Sequence, residues 1–311
     1  MKAFITGLGG FIGSHLAELL LENGIRVYGT VYNNTRRIKE IDGDVTAEKC
    51  DILDKNGLEH LITKVNPDYI FHLAAQSFVT PSWKDPEHTI LANVIGTLNV
   101  LDIAKSLKIK PKIAVACSSA EYGSCDKKDI PIKEGKEFSP SSPYAVSKIG
   151  TDMISYLYWK TYGMDIFRLR FFNTTGPRKE GDACSDFAKM ITIAEKENIN
   201  SIKVGYLDSI RDYTDVRDSV KAVWLIINKG KPGDAYNICT GRGYKVKDLL
   251  DTLLKSSNKK ITVKYDSSKT RPLEDPIFVG DNSKIKSLGW KPEISIQQTL
   301  IDILKYWRKR V

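Results

Sequence analysis

The amino-acid sequence predicts an α/β protein: a doubly wound parallel sheet with a smaller mixed α/β region at its C-terminal side. Three observations lead there. Strand-like and helix-like segments alternate from the first residues to Asn173, the pattern of βαβ units. A glycine cluster stands between the first strand and the first helix. After Asn173 the alternation loosens into polar, loop-like "TTGPRKEGDACSD" and irregularly spaced elements.

"KAFITG" is a short apolar run rich in β-formers, and "SHLAELLLENG" has helical spacing and ends in Asn-Gly, a C-terminal helix signal. "RVYGTVY" and "VTAEKCDI" read as the second and third strands. "LEHLITKVN" is a helix closed by Pro67, "YIFHLAA" a buried strand, "ILANVIGTLNVLDIAKSL" a long helix and "KIAVACSS" another strand. "YAVSKIGTDMISYLYWKTYG" is helical behind Pro143, and "DIFRLRFFN" is the sixth strand. Beyond it, helices are expected near 185–197, 215–229 and 246–256, with strands in "SIKVGY", "AYNIC" and "ITVKY". The expected division is a dinucleotide-binding domain over 1–172, with segments near 215–240 returning to it, and a mainly substrate-binding region over 173–311.

The totals exclude several classes. With 41% hydrophobic and 27% charged residues among 311, the chain has the composition of a soluble globular protein able to bury a sizeable core. No apolar run approaches the ~20 residues that cross a bilayer. "MKAFITGLGGFIGSHL" lacks a small-residue cleavage site and has glycines where a signal helix would be, so a cytoplasmic protein without a membrane partner is expected. Five scattered cysteines with no C-x-x-C pattern argue for reduced thiols and against a zinc site or disulfide frame. The net charge of +9 is spread along the chain rather than massed in a stripe. That disfavours nucleic acid and suits an anionic small substrate or plain surface charge. The basic "KYWRKRV" reads as a helix end favoured by the helix dipole.

"TGLGGFIG" places Gly7, Gly10 and Gly13 where a sharp turn, close backbone approach and a free helix N-terminus would receive a pyrophosphate. The spacing is G-x-x-G-x-x-G. The acid that would bind a ribose 2′-hydroxyl at the end of the second strand is missing near Val31, and Arg36 and Arg37 follow instead. An arginine can hold a 2′-phosphate, which favours NADP(H) while leaving NAD(H) open. Asp51, ending the third strand, suits a hydrogen bond to adenine or, alternatively, a helix cap for "ILDKNGLEHL".

Tyr-x-x-x-Lys occurs three times, as Tyr144/Lys148, Tyr156/Lys160 and Tyr265/Lys269. Tyr156 lies mid-helix among aromatics that look like a packing face, and Tyr265 in a turn-like run leading to proline. Only Tyr144 follows a buried strand ending in hydroxyls ("ACSSAEYG") and begins a helix. Reducing a ketone needs a hydride on carbon and a proton on oxygen. A phenol, pKa ~10, exchanges sluggishly at neutral pH, and an ammonium one turn on would lower it. Ser118 could donate to the substrate oxygen, or could simply be a strand-end serine bonded to backbone.

"TGLGGFIG", "HLAAQ", "LANVIGTLNVLD", "SSAEYG", "SPYAVSK", "RFFNTTGP", "RDYTDVRD" and "GDNSKIKSLGWKP", in this order over about residues 1–308, resemble the extended short-chain dehydrogenases/reductases. The resemblance implies a Rossmann domain, nucleotide-sugar chemistry, and Ser118, Tyr144 and Lys148 as catalytic triad. It implies cofactor contacts at Gly7, Gly10, Phe11, Ile12, Gly13, Arg36, Asp51, Ile52, Leu73, Ala74, Ala75 and Phe171, besides Tyr144 and Lys148. It implies substrate contacts at Gln76, Ser119, Asn173, Lys189, Arg211, Arg271 and Glu274, with the two arginines suited to a diphosphate. Arg211 could instead pair with Asp212 or Asp215. No metal is implied, and dimers formed through the helices near 93–106 and 144–162 are usual in this family.

Within the family the sequence is most similar to reductases of GDP-linked 4-keto-6-deoxymannose, which give a GDP-D-rhamnose type product, and next to GDP-mannose 4,6-dehydratases. The dehydratases need a carboxylate two residues before Tyr-Gly, where this chain has Ala120; Glu121 falls one step late, on the opposite face if the segment is a strand. Reduction is therefore expected over dehydration. Ala120 and Thr174 also depart from the reductases, which usually carry glutamate and histidine there, so a nucleotide-sugar 4-epimerase stays open. A non-catalytic NADP(H)-sensing module is the remaining alternative.

Overall fold

The computed structural model describes residues 1–33, 36–40, 45–267 and 276–311. The first elements are β1 (Lys2–Thr6), α1 (Phe11–Glu22), β2 (Arg26–Val31), β3 (Val45–Lys49), α2 (Lys55–Val65) and β4 (Tyr69–His72). Then come α3 (Val79–Lys84), α4 (Pro86–Ile90), a π-turn (Leu91–Ile95), α5 (Gly96–Ser106), β5 (Lys112–Ser118), α6 (Pro143–Tyr162) and β6 (Ile166–Phe171). The chain continues through β7 (Asn173–Thr175), α7 (Ala183–Lys196), β8 (Ser201–Val204), β9 (Ile210–Asp215), α8 (Val216–Lys229) and β10 (Ala235–Ile238). It ends with β11 (Gly243–Lys245), α9 (Val246–Lys255), β12 (Thr262–Tyr265), β13 (Ile277–Phe278), α10 (Ser283–Lys286) and α11 (Ile296–Arg308).

Seven strands form one parallel sheet in the order β10-β6-β5-β4-β1-β2-β3. Side chains alternate across it, and both faces are covered. Ile5, Val27 and Leu169 pack with Leu16 and Leu20 of α1 and Val223 and Ile226 of α8. Phe4, Ile70, Ile113 and Val115 pack on the other side with Leu58 and Ile62 of α2, Val100 and Leu101 of α5 and Tyr158 of α6. A separate core joins α7, α9 and α11 through Phe187, Ile191, Leu249, Leu253, Leu300, Ile303 and Trp307. The expected long helix is α-helical at both ends but passes through a π-turn at Leu91–Ile95.

β7 carries the chain off the sheet, straight from β6 into a small sheet around β9. β9, "IRDYTD", was not legible as a strand because two of its buried positions are aspartates. Asp212 is fully buried and accepts from the Thr240 amide (2.8 Å), the Thr240 hydroxyl (2.7 Å) and the Gly241 amide (2.9 Å). Asp215 caps α8 and grips Arg217 and Thr299. Asp212→Ala would strand these donors, and we expect it to cost on the order of 3 kcal/mol. Urea unfolding should show a lower midpoint at unchanged slope, and a loss below about 0.5 kcal/mol contradicts this account of β9.

Candidate active site

Strand order reverses between β1 and β4, so the loops leaving these strands open one crevice at the carboxyl end of the sheet. Gly7 turns there with φ +76°, and a Cβ on it would lie 2.9 Å from the Ala74 backbone. A Cβ on Gly13 would lie 2.3 Å from the Gly7 carbonyl oxygen, so glycine is required where α1 closes on the turn. Gly10 is the N-cap, with no side chain to accept the first amides, and no acidic residue follows in the first turn. The N–H groups of Phe11, Ile12 and Gly13 thus stand at the positive end of a twelve-residue helix, a cradle that fits a pyrophosphate. Across the crevice the Leu73 amide donates to Thr6 O (3.2 Å) and the Ala74 amide to Thr6 Oγ1 (3.3 Å), which fixes the Leu73–Ala75 segment.

At the far rim Arg36 lies exposed on the turn after β2. Arg37 is turned away from that rim: its Nε donates to Arg178 O (2.9 Å) and its guanidinium lies 3.6 Å from Glu180. Asp51 Oδ1 accepts from the Leu53 amide (2.9 Å), whereas the cap of α2 is Asp54, which accepts from Gly57 (3.0 Å). The capping alternative for Asp51 is therefore corrected. Ile52 is buried, and its carbonyl accepts from Asn99 Nδ2 (3.0 Å).

Ser118 ends β5, and α6 starts at Pro143 behind Ser142, whose hydroxyl accepts from the Ala145 amide (3.1 Å). This start puts Tyr144 in the first turn and Lys148 one turn on. The Tyr144 hydroxyl is hydrogen-bonded to the Ser118 side chain, and buried Lys148 donates to Ala116 O at 2.7 Å. Ser118 Oγ also accepts from the Ala120 amide (3.1 Å), so the backbone-bonded serine and the site serine are the same group. One expectation fails. Burial pushes the Tyr144 phenol up to about 12, with the Ser118 hydrogen bond pulling the other way, and burial also lowers Lys148. The net shift is upward, set by desolvation, where the ammonium was expected to bring the phenol down. Residues 119–122 form a 3-10 turn rather than a strand, so the opposite-face argument for Glu121 is replaced by direct geometry: it is buried and bonded to the Ser118 amide (2.7 Å).

Two residues that sequence reasoning missed hold this arrangement. Ser82 Oγ accepts from the Tyr144 amide (3.1 Å). Asn93, in the π-turn, accepts from the Gln76 amide (2.8 Å), donates to Gln76 O (3.0 Å) and donates to Ser147 Oγ (2.8 Å). The only sequence signal was a polar residue inside a helix. The other Tyr-x-x-x-Lys pairs are elsewhere: Tyr156 packs against Trp159 and Arg168, Tyr265 is exposed at the end of β12, and Lys269 lies outside the described residues.

The substrate candidates divide. Ser119 is buried beside Ser118; Phe171, a candidate for the cofactor rather than the substrate, is buried at the end of β6. Asn173 Nδ2 donates to Asp212 O (3.1 Å) beside Arg211, whose Nη1 donates to its own Ile210 carbonyl (3.0 Å). Asp212 and Asp215 bond instead to Thr240, Gly241, Arg217 and Thr299, so the predicted ion-pair alternative for Arg211 does not hold. Gln76 spends its carboxamide on its own loop, donating to Phe78 O and Thr89 Oγ1 and accepting from the Phe78 amide. Lys189 is exposed on α7 with its ammonium 5.0 Å from the Trp307 ring centroid. Arg271 and Glu274 lie outside the described residues.

Under the crevice, His72 links Thr6 Oγ1 (2.8 Å to Nδ1) and Thr97 Oγ1 (3.0 Å to Nε2). Thr97 already donates to Asn93 O (2.6 Å), which assigns the proton to Nε2 and makes Nδ1 the acceptor. Burial, reinforced by Lys148, holds His72 down to about 3. An unfolded histidine titrates near ~6.5, so below that pH the unfolded chain takes up a proton the folded one refuses. Folding stability should drop by about 2 kcal/mol from this residue between pH 7 and pH 5 and be insensitive to it above pH 7. Denaturant titrations of the parent and His72→Gln should show a shallower pH slope in the variant; equal slopes contradict the assignment.

Comparison with known proteins fits this geometry. A family model described as GDP-mannose 4,6 dehydratase matches residues 4–303. The chain is 29% identical to the GDP-6-deoxy-D-mannose reductase of Pseudomonas aeruginosa over 313 residues, covering 100% of this chain and 98% of that one. It superposes on the structure of RMD from Pseudomonas aeruginosa complexed with NADPH with a TM-score of 0.86 at 28% identity, covering 100% of both chains. On the UDP-glucose 4-epimerase of Thermus thermophilus in complex with NAD the TM-score is 0.89 at 26% identity, again covering 100% of both chains. With a match that spans nearly its whole length, the chain belongs to the GDP-mannose 4,6-dehydratase family, among the extended short-chain dehydrogenases/reductases.

Proposed function

We propose that this protein reduces a GDP-linked 4-keto-6-deoxy sugar, a GDP-4-keto-6-deoxy-D-mannose, to a GDP-D-rhamnose type product with NADPH. The observation that supports the reading is the Tyr144–Ser118 hydrogen bond with Lys148 one turn on and bonded to Ala116 O, at the same end of the sheet as the glycine turn. A reduced nicotinamide supplies the hydride when bound. Tyr144, protonated at neutral pH, donates the proton to the carbonyl oxygen as its charge develops, and Ser118 holds that oxygen by a hydrogen bond. Lys148 carries a positive charge one turn away, suited to the nicotinamide ribose and to the phenolate left after transfer. Dehydration needs an acid aimed at C5; residue 120 offers none, and Glu121 is bonded to the Ser118 amide.

Arg36, exposed on the turn after β2, is the proposed partner of a 2′-phosphate, while Arg37 points to the 178–180 loop. The region beyond 173 is the proposed sugar-nucleotide side, with Asn173 and Arg211 at its edge. Leu91, Ile95, Val146, Met153 and Leu157 are exposed on the π-turn and α6. At 146, 153 and 157 the spacing keeps one helical face apolar, which supports a homodimer through these helices. A cytoplasmic enzyme is proposed; among the described residues no helix is long and apolar enough to cross a membrane.

Three measurements test this reading. Tyr144→Phe should lower kcat about 100-fold or more while the KM for NADPH stays within about threefold; undiminished turnover overturns the proton-donor role. Arg36→Ala should raise the KM for NADPH and leave that for NADH unchanged; equal effects on both contradict the 2′-phosphate contact. Leu157→Arg should give a monomer in sedimentation velocity, and an unaltered dimer places the interface elsewhere. A bound NAD that survives gel filtration, with interconversion of 4-epimers and no net cofactor oxidation, would favour the epimerase.

A further inference from the structure

Beneath Ser118 lies a layer of buried charge with no part in the chemistry above. Glu121 is fully buried in the 3-10 turn Ser119–Tyr122. Its Oε1 accepts from the Ser118 amide (2.7 Å) while Ser118 Oγ accepts from the Ala120 amide (3.1 Å), a reciprocal cap. Its Oε2 has no hydrogen-bond partner and stands 3.3 Å from Arg170 Nε. Arg170 on β6 donates through Nε to Asp152 (3.0 Å) and through Nη1 to the Tyr122 hydroxyl (3.0 Å) and Glu134 O (2.8 Å). Asp152, one turn beyond Lys148 on α6, holds Arg168 with its other oxygen. Cys117 Sγ lies within 4.8 Å of carboxylate oxygens of Glu121 and Asp152, but the two arginines already balance these acids, so the cluster is an ion-pair layer and not a cation site.

This layer ties together β5, β6 and α6, the elements that carry Ser118 and the Tyr144–Lys148 pair. An apolar residue at 121 could fill the same space, yet it could not accept the Ser118 amide. Burial, with Asp152 nearby, pushes Glu121 well above the usual carboxylate range, whereas Arg170 and Arg168 outweigh burial and hold Asp152 below it.

We propose that Glu121 is a positioning residue: anchored by Arg170, it fixes the Ser118 backbone so that Oγ of Ser118 meets the Tyr144 hydroxyl. The inference rests on the triad reading, and the test separates the two. Kinetics would be measured on Ser118→Ala, Tyr144→Phe, Glu121→Asp, Glu121→Gln and the double variant Ser118→Ala/Glu121→Asp, with NADPH and GDP-4-keto-6-deoxy-D-mannose. Shortening to aspartate withdraws the acceptor and should lower kcat about tenfold or more, with both KM values within about twofold. Glutamine keeps the acceptor and should recover kcat to within about threefold of the parent. With Ser118 already replaced, Glu121→Asp should cost less than about twofold, because there is no hydroxyl left to position. A tenfold loss that persists without Ser118, or a folded Glu121→Asp within about twofold of the parent, overturns the proposal. Should Glu121→Asp not fold, a folded Glu121→Gln that loses more than about tenfold overturns it as well, and one that stays within about threefold supports it. If Ser118→Ala and Tyr144→Phe are themselves fully active, the triad reading fails instead.

Discussion

Everything in this structure depends on one close approach: the backbone at Gly7 turns against the backbone at Ala74 where the parallel sheet reverses its strand order. A single added methyl carbon at Gly7 would sit 2.9 Å from two Ala74 backbone atoms. The contact sets the width of the crevice, and the crevice decides what can meet there. From one wall come the bare amides of α1, from the other the ends of β4 and β5, and α6 crosses above with its phenol and ammonium. A parallel sheet places all its strand ends on one side, so such groups need only be at strand ends and helix starts to converge.

Convergence is not yet precision, and precision here comes from buried polar groups rather than from the apolar core. Asn93 uses a π-turn to reach both Gln76 and Ser147, and Ser82 receives the first amide of Tyr144. Glu121 and Arg170 brace Ser118 from below. Asn93, Ser82 and Arg170 bond to partners far away in the chain, so each converts a fold-level neighbourhood into a fixed distance. Burial raises the Tyr144 phenol above its ordinary value, with the Ser118 hydrogen bond pulling the other way. A phenol displaced upward from its ordinary value is a weaker acid as well as protonated at neutral pH, so in the proposed reduction the charge developing on the substrate oxygen has to draw the proton across.

The first six strands and their helices were legible because their periods are clean and their ends are marked: Asn23-Gly24 after α1, Pro67 after α2, Pro143 at the start of α6. The glycine loop was legible because only glycine can make those approaches. The tyrosine–lysine pair was separated from two look-alikes by the strand and hydroxyls before it. What stayed hidden depends on contacts between distant positions. Ser82 and Tyr144 are 62 residues apart, and nothing local marks a serine in a six-residue helix as a support for the site. β9 hid because Asp212 and Asp215 look like surface residues until their partners are known. The net shift of Tyr144 runs opposite to the expected lowering because desolvation sets it, and spacing says nothing of desolvation. For Gln76, the sequence named a residue of the crevice but could not tell that its own loop consumes its hydrogen bonds.

The central claim is that this crevice delivers one hydride and one proton to a sugar carbonyl and then releases an oxidised cofactor. Single-turnover reaction of the purified enzyme with NADPH deuterated at the transferable position and a GDP-4-keto-6-deoxy sugar tests that directly. The account predicts one deuterium on C4 of the product, one equivalent of NADP formed, and a single C4 configuration. Recovery of the keto sugar or a mixture of C4 epimers with no net cofactor oxidation would contradict it.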